Sequence, residues 1–154
     1  MSESDCQEAK AELAAAASEL ADAEEKYNRS LVVVFDARKA LEDAREKVNV
    51  ASHHGGVAER AVGDAEERLS DQKWVPDYEG KERDVAQKEE QLAEAREAFR
   101  RATDETNEAV ATSNAAKDAF DRGEAELAKH KAEFESAQGR HGRWAERVRE
   151  VCGE

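Results

Sequence analysis

The chain has 154 residues, of which 40% are charged and only 5% aromatic, so it lacks the bulky apolar side chains of a thick globular core. Its formal net charge of −13 disfavours binding to nucleic acid or to an anionic membrane, because both require a cationic face. Abundant alanine and charged residues with a seven-residue apolar period are typical of long helices. We therefore expect an all-α protein with a single domain over 1–154.

The first half of the chain contains two interleaved apolar series with a period of seven. A series of mostly large residues runs from Cys6 to Leu69, and a series of alanines and one serine runs from Ala9 to Ala65. An unbroken heptad places both series on one stripe of a helix, which is the seam of a coiled coil. The pattern predicts a first helix over about 4–73.

Two local features affect this first helix. Ser4 and Gln7 have the spacing of an N-terminal capping box. The segment 52–56 contains two histidines and two glycines, and each glycine in a helix costs about 1 kcal/mol. Since the heptad keeps its phase across this segment, we predict a continuous helix with a weak point. The alternative is a three-segment helical bundle broken at 52–56.

Five consecutive apolar residues, from Leu31 to Phe35, exceed what the seam requires. Val34 belongs to the seam, whereas its neighbours fall on outer heptad positions, and Val50 and Val57 extend an outward surface. Exposed apolar residues of this kind mark contacts with another chain, although a broadened seam is the simpler alternative. The residues of this lateral patch, predicted to bind a partner, are Leu31, Val32, Val33 and Phe35.

The only proline, Pro76, lies near the centre of the chain within a segment that favours a turn. We place the turn at 74–80. Three apolar residues cluster there, Trp74, Val75 and Tyr78, which we call the tip. Tryptophan and tyrosine often anchor binding hot spots, so the tip is the second predicted interaction surface; plugging the end of the seam is the alternative.

The second half repeats the heptad scheme and predicts a helix over about 79–151. A short connection between two such helices favours a long antiparallel two-helix coiled-coil hairpin with an alanine-rich seam, each helix on the order of 100 Å long. One register sets nearly every large seam residue against a small one, for example Val34 against Gly123. The same register pairs flanking acids with bases, including Glu66 with Arg96 and Glu12 with Arg140.

This register also brings Cys6 next to Cys152 at the open end of the hairpin. A disulfide there would close a long loop and stabilise the fold, whereas a reducing compartment would leave two thiols in the seam. His53 and His54 are adjacent and point in different directions on a helix, so they do not form a metal-binding pair. His130 lies on the seam, where protonation would loosen one layer. We expect no metal and no cofactor.

These features predict a non-enzymatic coiled-coil structural or adaptor protein, a rigid rod that presents its tip and lateral patch to another protein or to a second hairpin. The alternative is an exported or particle-associated hairpin effector whose aromatic tip binds a receptor or a membrane. Neither a secretory signal nor a membrane span is expected from the sequence. We therefore expect a cytoplasmic protein, with signal-independent export or incorporation into a particle as the open alternative.

Overall fold

A computed structural model of the protein describes residues 2–153. It contains two α-helices of 72 residues each, α1 (Glu3–Trp74) and α2 (Lys81–Cys152). A short non-helical connection joins them, and the two helices pack against each other as a hairpin. The predicted all-α helical hairpin is therefore confirmed, with helix bounds within two residues of those expected from the heptads.

Helix α1 is continuous through the segment 52–56, so the three-segment alternative is wrong. Gly55 occupies a half-buried seam position, and a Cβ atom built on it would lie 3.8 Å from the side-chain oxygen of Thr106. The heptad phase explains the continuity, because a loop would displace the following seam residues from the interface. That loss outweighs the roughly 1 kcal/mol cost of each glycine in the helix.

The start of α1 is capped two residues earlier than the sequence predicts. The Ser2 hydroxyl accepts a hydrogen bond from the backbone N–H of Asp5 at 3.2 Å, and the Asp5 carboxylate accepts one from the Ser2 N–H at 3.2 Å. This reciprocal pair is a capping box in which aspartate replaces the usual glutamate, so the predicted Ser4–Gln7 box is wrong. The Ser2 N–H and hydroxyl lower the pKa of Asp5.

The burial pattern follows the heptads along both helices. Every member of the two predicted series in each helix is buried or half-buried in the structure. Every fully buried residue among 2–153 belongs to one of those series. The deepest are small residues, since Ala51 and Ala137 are each 1% exposed. The seam is therefore the core of the fold, and small residues let the helices approach closely.

Residue contacts divide the hairpin into two compact units, which we treat separately. The terminal unit contains the residues up to Lys39 and those from Lys117 onward. Its apolar cluster near the chain ends consists of Ala9, Val148 and Val151, against which Leu13 and Cys152 pack. Further along, two aromatic rings stack with centroids 5.6 Å apart; they belong to Tyr27 and Phe134. This stack links α1 to α2 within the terminal unit.

The turn unit comprises Ala40–Ala116. Its buried seam residues are Leu41, Ala44, Ala51, Leu92 and Ala102. All five are leucines or alanines, the residues with the highest helix propensity among apolar side chains, which suits a long helix. The turn unit therefore has the same kind of core as the terminal unit, in which large and small apolar residues alternate along the seam.

Salt bridges between the helices only partly match the predicted pairs. Arg96 lies 3.6 Å from Glu66, which confirms that pair. Arg140, however, binds Glu19 at 3.2 Å and not Glu12. The reason is that long helical side chains lean toward the N-terminus of their own helix. In an antiparallel pair, Arg140 and Glu19 therefore lean toward each other, while Arg140 leans away from Glu12.

Gly123 provides a test of seam packing. It faces Val34, and a Cβ atom built on it would lie 3.5 Å from the Val34 Cγ2 atom, an ordinary van der Waals contact. We expect Gly123→Ala to raise the free energy of unfolding by about 0.5–1 kcal/mol, because alanine has the higher helix propensity and fits without displacing Val34.

Thermal and urea denaturation followed by circular dichroism would measure this change. Gly123→Leu is the matched control: the larger side chain overlaps Val34 and should lower the stability by about 1–3 kcal/mol. Equal stabilisation by both substitutions would show that the helices do not approach closely at this layer.

Candidate functional site

The lateral patch lies in the terminal unit and is exposed. Val32 and Phe35 are 60% and 66% exposed, and Leu31 is also exposed, whereas Val34 is buried in the seam. On a helix, residues three or four apart share a face, so Leu31, Val32 and Phe35 form one outward surface. The predicted member Val33 differs, because it lies on the opposite flank of the seam, near Gly123.

The flank of the patch includes an aromatic contact that the sequence did not reveal. Arg38 holds its guanidinium carbon 5.8 Å from the centre of the Phe120 ring. This is within the range of a cation–π interaction. Phe120 is a seam residue, so Arg38 shields the edge of the seam and leaves the surface around Phe35 uncovered.

The tip is the second exposed apolar surface. Trp74 ends α1 and is 84% exposed, while Val75 and Tyr78 are each 41% exposed. Plugging the end of the seam therefore does not account for the tryptophan. The three residues lie within five positions of one another, at the end of α1 and in the connection.

A lysine holds the connection in place. The Lys81 ammonium donates hydrogen bonds to the backbone carbonyl of Val75 at 2.5 Å and to that of Lys73 at 3.3 Å. It also lies 3.3 Å from the Asp77 carboxylate. The last carbonyls of a helix lack intrahelical partners and carry partial negative charge, so a cation stabilises them. Lys81 thus caps the end of α1 from the first residue of α2.

Tyr78 connects the two helices beside this cap. Its hydroxyl accepts a hydrogen bond from the Gln72 side-chain amide at 2.5 Å and donates one to the Asp84 carboxylate at 2.6 Å. The bond to Asp84 raises the pKa of Tyr78, because the carboxylate disfavours the phenolate. Gly80 adopts a φ of 92°, a conformation that favours glycine, and permits the sharp entry into α2.

Sequence reasoning missed Lys81, Gln72 and Asp84 as parts of the tip. The predicted end of α1 and start of α2 could have indicated these residues. A lysine immediately after the glycine of a turn lies close enough to reach back to the preceding helix end. The bond from Tyr78 to Asp84 depends on the local path of the connection, which residue spacing does not determine.

The turn unit contains a groove beside one of the outer valines. Val50 and Val57, predicted to extend the lateral patch, are both exposed. Val50 borders a groove of about 330 Å³. The residues that line the groove are Ala44, Glu46, Lys47, Val50, Ala51, Glu105, Glu108, Ala109 and Thr112. Its walls combine apolar and charged side chains, and none of them forms a nucleophile–base pair in the structure.

The two cysteines are joined by a disulfide in the terminal unit. Their Cα atoms are 5.0 Å apart, within the usual range for this bond, and 146 positions separate them in the sequence. Cys6 lies on the seam and Cys152 ends α2. The cross-link therefore ties the start of the first helix to the end of the second.

Two of the four histidines pair with carboxylates. His54 lies 3.2 Å from Glu105, and His130 lies between Glu126 at 3.4 Å and Glu133 at 3.2 Å. Among residues 2–153, no group of three histidine, cysteine or acidic side chains is arranged to hold a metal ion. Across the same residues, neither helix has an apolar stretch suited to crossing a membrane.

Comparison of the chain with protein families, with curated proteins and with solved structures finds no match.

The disulfide makes the stability of the hairpin depend on redox conditions. We expect reduction to lower the free energy of unfolding by about 2–5 kcal/mol, because the cross-link restricts the unfolded chain over a long loop. Denaturation with and without dithiothreitol measures the effect. The double variant Cys6→Ser and Cys152→Ser is the control, and its melting should not respond to the reductant; an equal response in both proteins would rule out the disulfide as the cause.

Substitution of Lys81 tests whether its ammonium stabilises the end of α1. Lys81→Met keeps the aliphatic stem but removes the ammonium, and we expect a loss of about 1–2 kcal/mol together with faster amide exchange around 75–84. Lys73→Met is the matched control, since the Lys73 side chain is exposed and only its backbone carbonyl contributes to the cap. Equal effects of the two substitutions would contradict a specific role for Lys81.

Proposed function

We propose that the protein is a non-enzymatic coiled-coil structural or adaptor protein that presents its lateral patch and its tip to other proteins. The observation that carries the proposal is the exposure of Phe35 and Trp74, at 66% and 84%. Neither side chain contributes to the seam that holds the hairpin together. Large exposed apolar residues on an otherwise charged surface are typical of protein-binding sites.

The chemistry of the two surfaces supports this proposal. At each one, an aromatic residue is accompanied by aliphatic neighbours and surrounded by charged residues, the arrangement of a small binding hot spot with a polar rim. The Lys81 and Tyr78 hydrogen bonds fix the connection, so Trp74 is presented on an ordered support. A preordered support lowers the entropic cost of binding.

A second candidate function is supported by the tip alone. Trp74 is the most exposed large apolar residue of 2–153, and it lies beside Val75 and Tyr78. An exported or particle-associated hairpin would use such a tip to bind a receptor or to insert into a membrane interface, where tryptophan and tyrosine are favoured. This candidate requires no contribution from the lateral patch.

Affinity capture with matched variants tests the main proposal. Immobilised wild-type protein would be compared with Phe35→Glu and Trp74→Ala, and bound proteins would be quantified by mass spectrometry. Ser18→Glu is the control for Phe35→Glu, because it adds the same charge at an exposed position of α1. We expect the bound amount of each specific partner to fall at least tenfold with Phe35→Glu or Trp74→Ala and to be unchanged with Ser18→Glu. The same proteins at equal abundance in every sample would contradict the proposal.

Fluorescence distinguishes the second candidate. The chain has two tryptophans, so Trp144→Phe leaves Trp74 as the only indole emitter. Transfer of Trp74 into a membrane would shift its emission to the blue when lipid vesicles are added. An unchanged spectrum with vesicles, combined with Trp74-dependent capture of proteins, would favour the adaptor function.

A further inference from the structure

Charges are arranged symmetrically around the exposed face of α1. Glu25, Val32 and Lys39 are spaced seven residues apart, so they lie along one line on the helix surface with Val32 at its centre. All three are exposed. The acid therefore lies about 10.5 Å from Val32 toward the N-terminus, and the base lies the same distance toward the C-terminus.

We propose that this face binds a second copy of the same chain, with the two α1 helices antiparallel and a two-fold axis at Val32. The inference rests on the proposed function and deepens it by naming the partner of the lateral patch. A two-fold axis at Val32 sets Glu25 of each copy opposite Lys39 of the other. It also places Leu31 and Val32 of both copies at the centre of the contact, as an isologous interface requires.

The neighbouring residues complement each other in the same arrangement. Arg29 of one copy faces Asp36 of the other, which allows an ion pair. Within the hairpin, Arg29 already pairs with Glu25, one turn earlier. Lys39 of the second copy would therefore extend an existing ion pair into a network across the interface.

Partners within the hairpin do not account for two of these charges. Among residues 2–153, the side chains of Asp36 and Lys39 make no hydrogen bond or ion pair, although both are exposed beside the patch. A parallel arrangement of two copies would set Glu25 against Glu25 and Lys39 against Lys39, which is repulsive. Of these two arrangements, the antiparallel one covers Val32 while pairing opposite charges.

Charge reversal tests the interface. Sedimentation equilibrium would be measured for wild type, for Glu25→Lys, for Lys39→Glu and for an equimolar mixture of these two variants. Each single variant sets like charges together twice in its own dimer, so we expect its dissociation constant to rise about tenfold. In the mixture, the two substituted side chains would face each other with opposite charges, and the unchanged Lys39 of one variant would meet the unchanged Glu25 of the other. A heterodimer should therefore form about as tightly as the wild-type dimer.

Lys73→Glu is the control, since it reverses an exposed lysine of α1 in the turn unit, outside the unit that carries the patch, and should leave association unchanged. Circular dichroism would confirm that every variant remains helical. A monomeric wild type at all concentrations would overturn the inference, as would a mixture that associates no better than its components.

Cross-linking tests the orientation. With a short thiol-reactive cross-linker and no reductant, Glu25→Cys mixed with Lys39→Cys should give a covalent heterodimer. Glu25→Cys alone should give none, because its two copies of residue 25 would lie about 21 Å apart. Self-cross-linking of Glu25→Cys would indicate a parallel pair and overturn the inference. If the chain forms no dimer but still captures other proteins through Phe35, the proposed function stands and this inference fails. If the dimer forms but the Phe35-dependent capture is lost, this inference stands.

Discussion

The close approach of two helix backbones at small residues is the constraint on which the hairpin depends. Ala51 and Ala137 are almost fully buried, and Gly123 leaves room for Val34. A residue much larger than alanine at any of these positions would push the helices apart and expose the neighbouring layers as well. Because the core is only one side chain deep, stability is distributed over many similar layers, each of which contributes little by itself.

This constraint also determines which surfaces of the helices are free to bind other molecules. The seam occupies one stripe of each helix, and the remaining faces are available for charges and for contacts with other molecules. Exposed ion pairs contribute little to stability, but they help to select one register over its neighbours. The apolar residues outside the seam, such as Phe35 and Trp74, have no comparable role within the hairpin, and this is why we propose that they bind other molecules.

The heptads predicted the fold because a period of seven specifies both the helix and the face that it buries. They also placed Val32 and Phe35 on the outer surface. The capping box at Ser2, the cation–π contact of Arg38 and the cap formed by Lys81 were not predictable in the same way. Each depends on side-chain direction or on the local path of the turn, which residue spacing alone does not determine.

The disulfide between Cys6 and Cys152 has a mechanical consequence. With that bond in place, the helices, the connection and the two sulfur atoms form a closed covalent ring. A pulling force applied at the two chain ends passes through the sulfur–sulfur bond and leaves the helix interface unloaded. Once the bond is reduced, the same force acts on the outermost layer, around Ala9 and Val148, and separates the helices one layer at a time. The redox state thus determines whether the hairpin resists tension as a covalent loop or opens as a zipper.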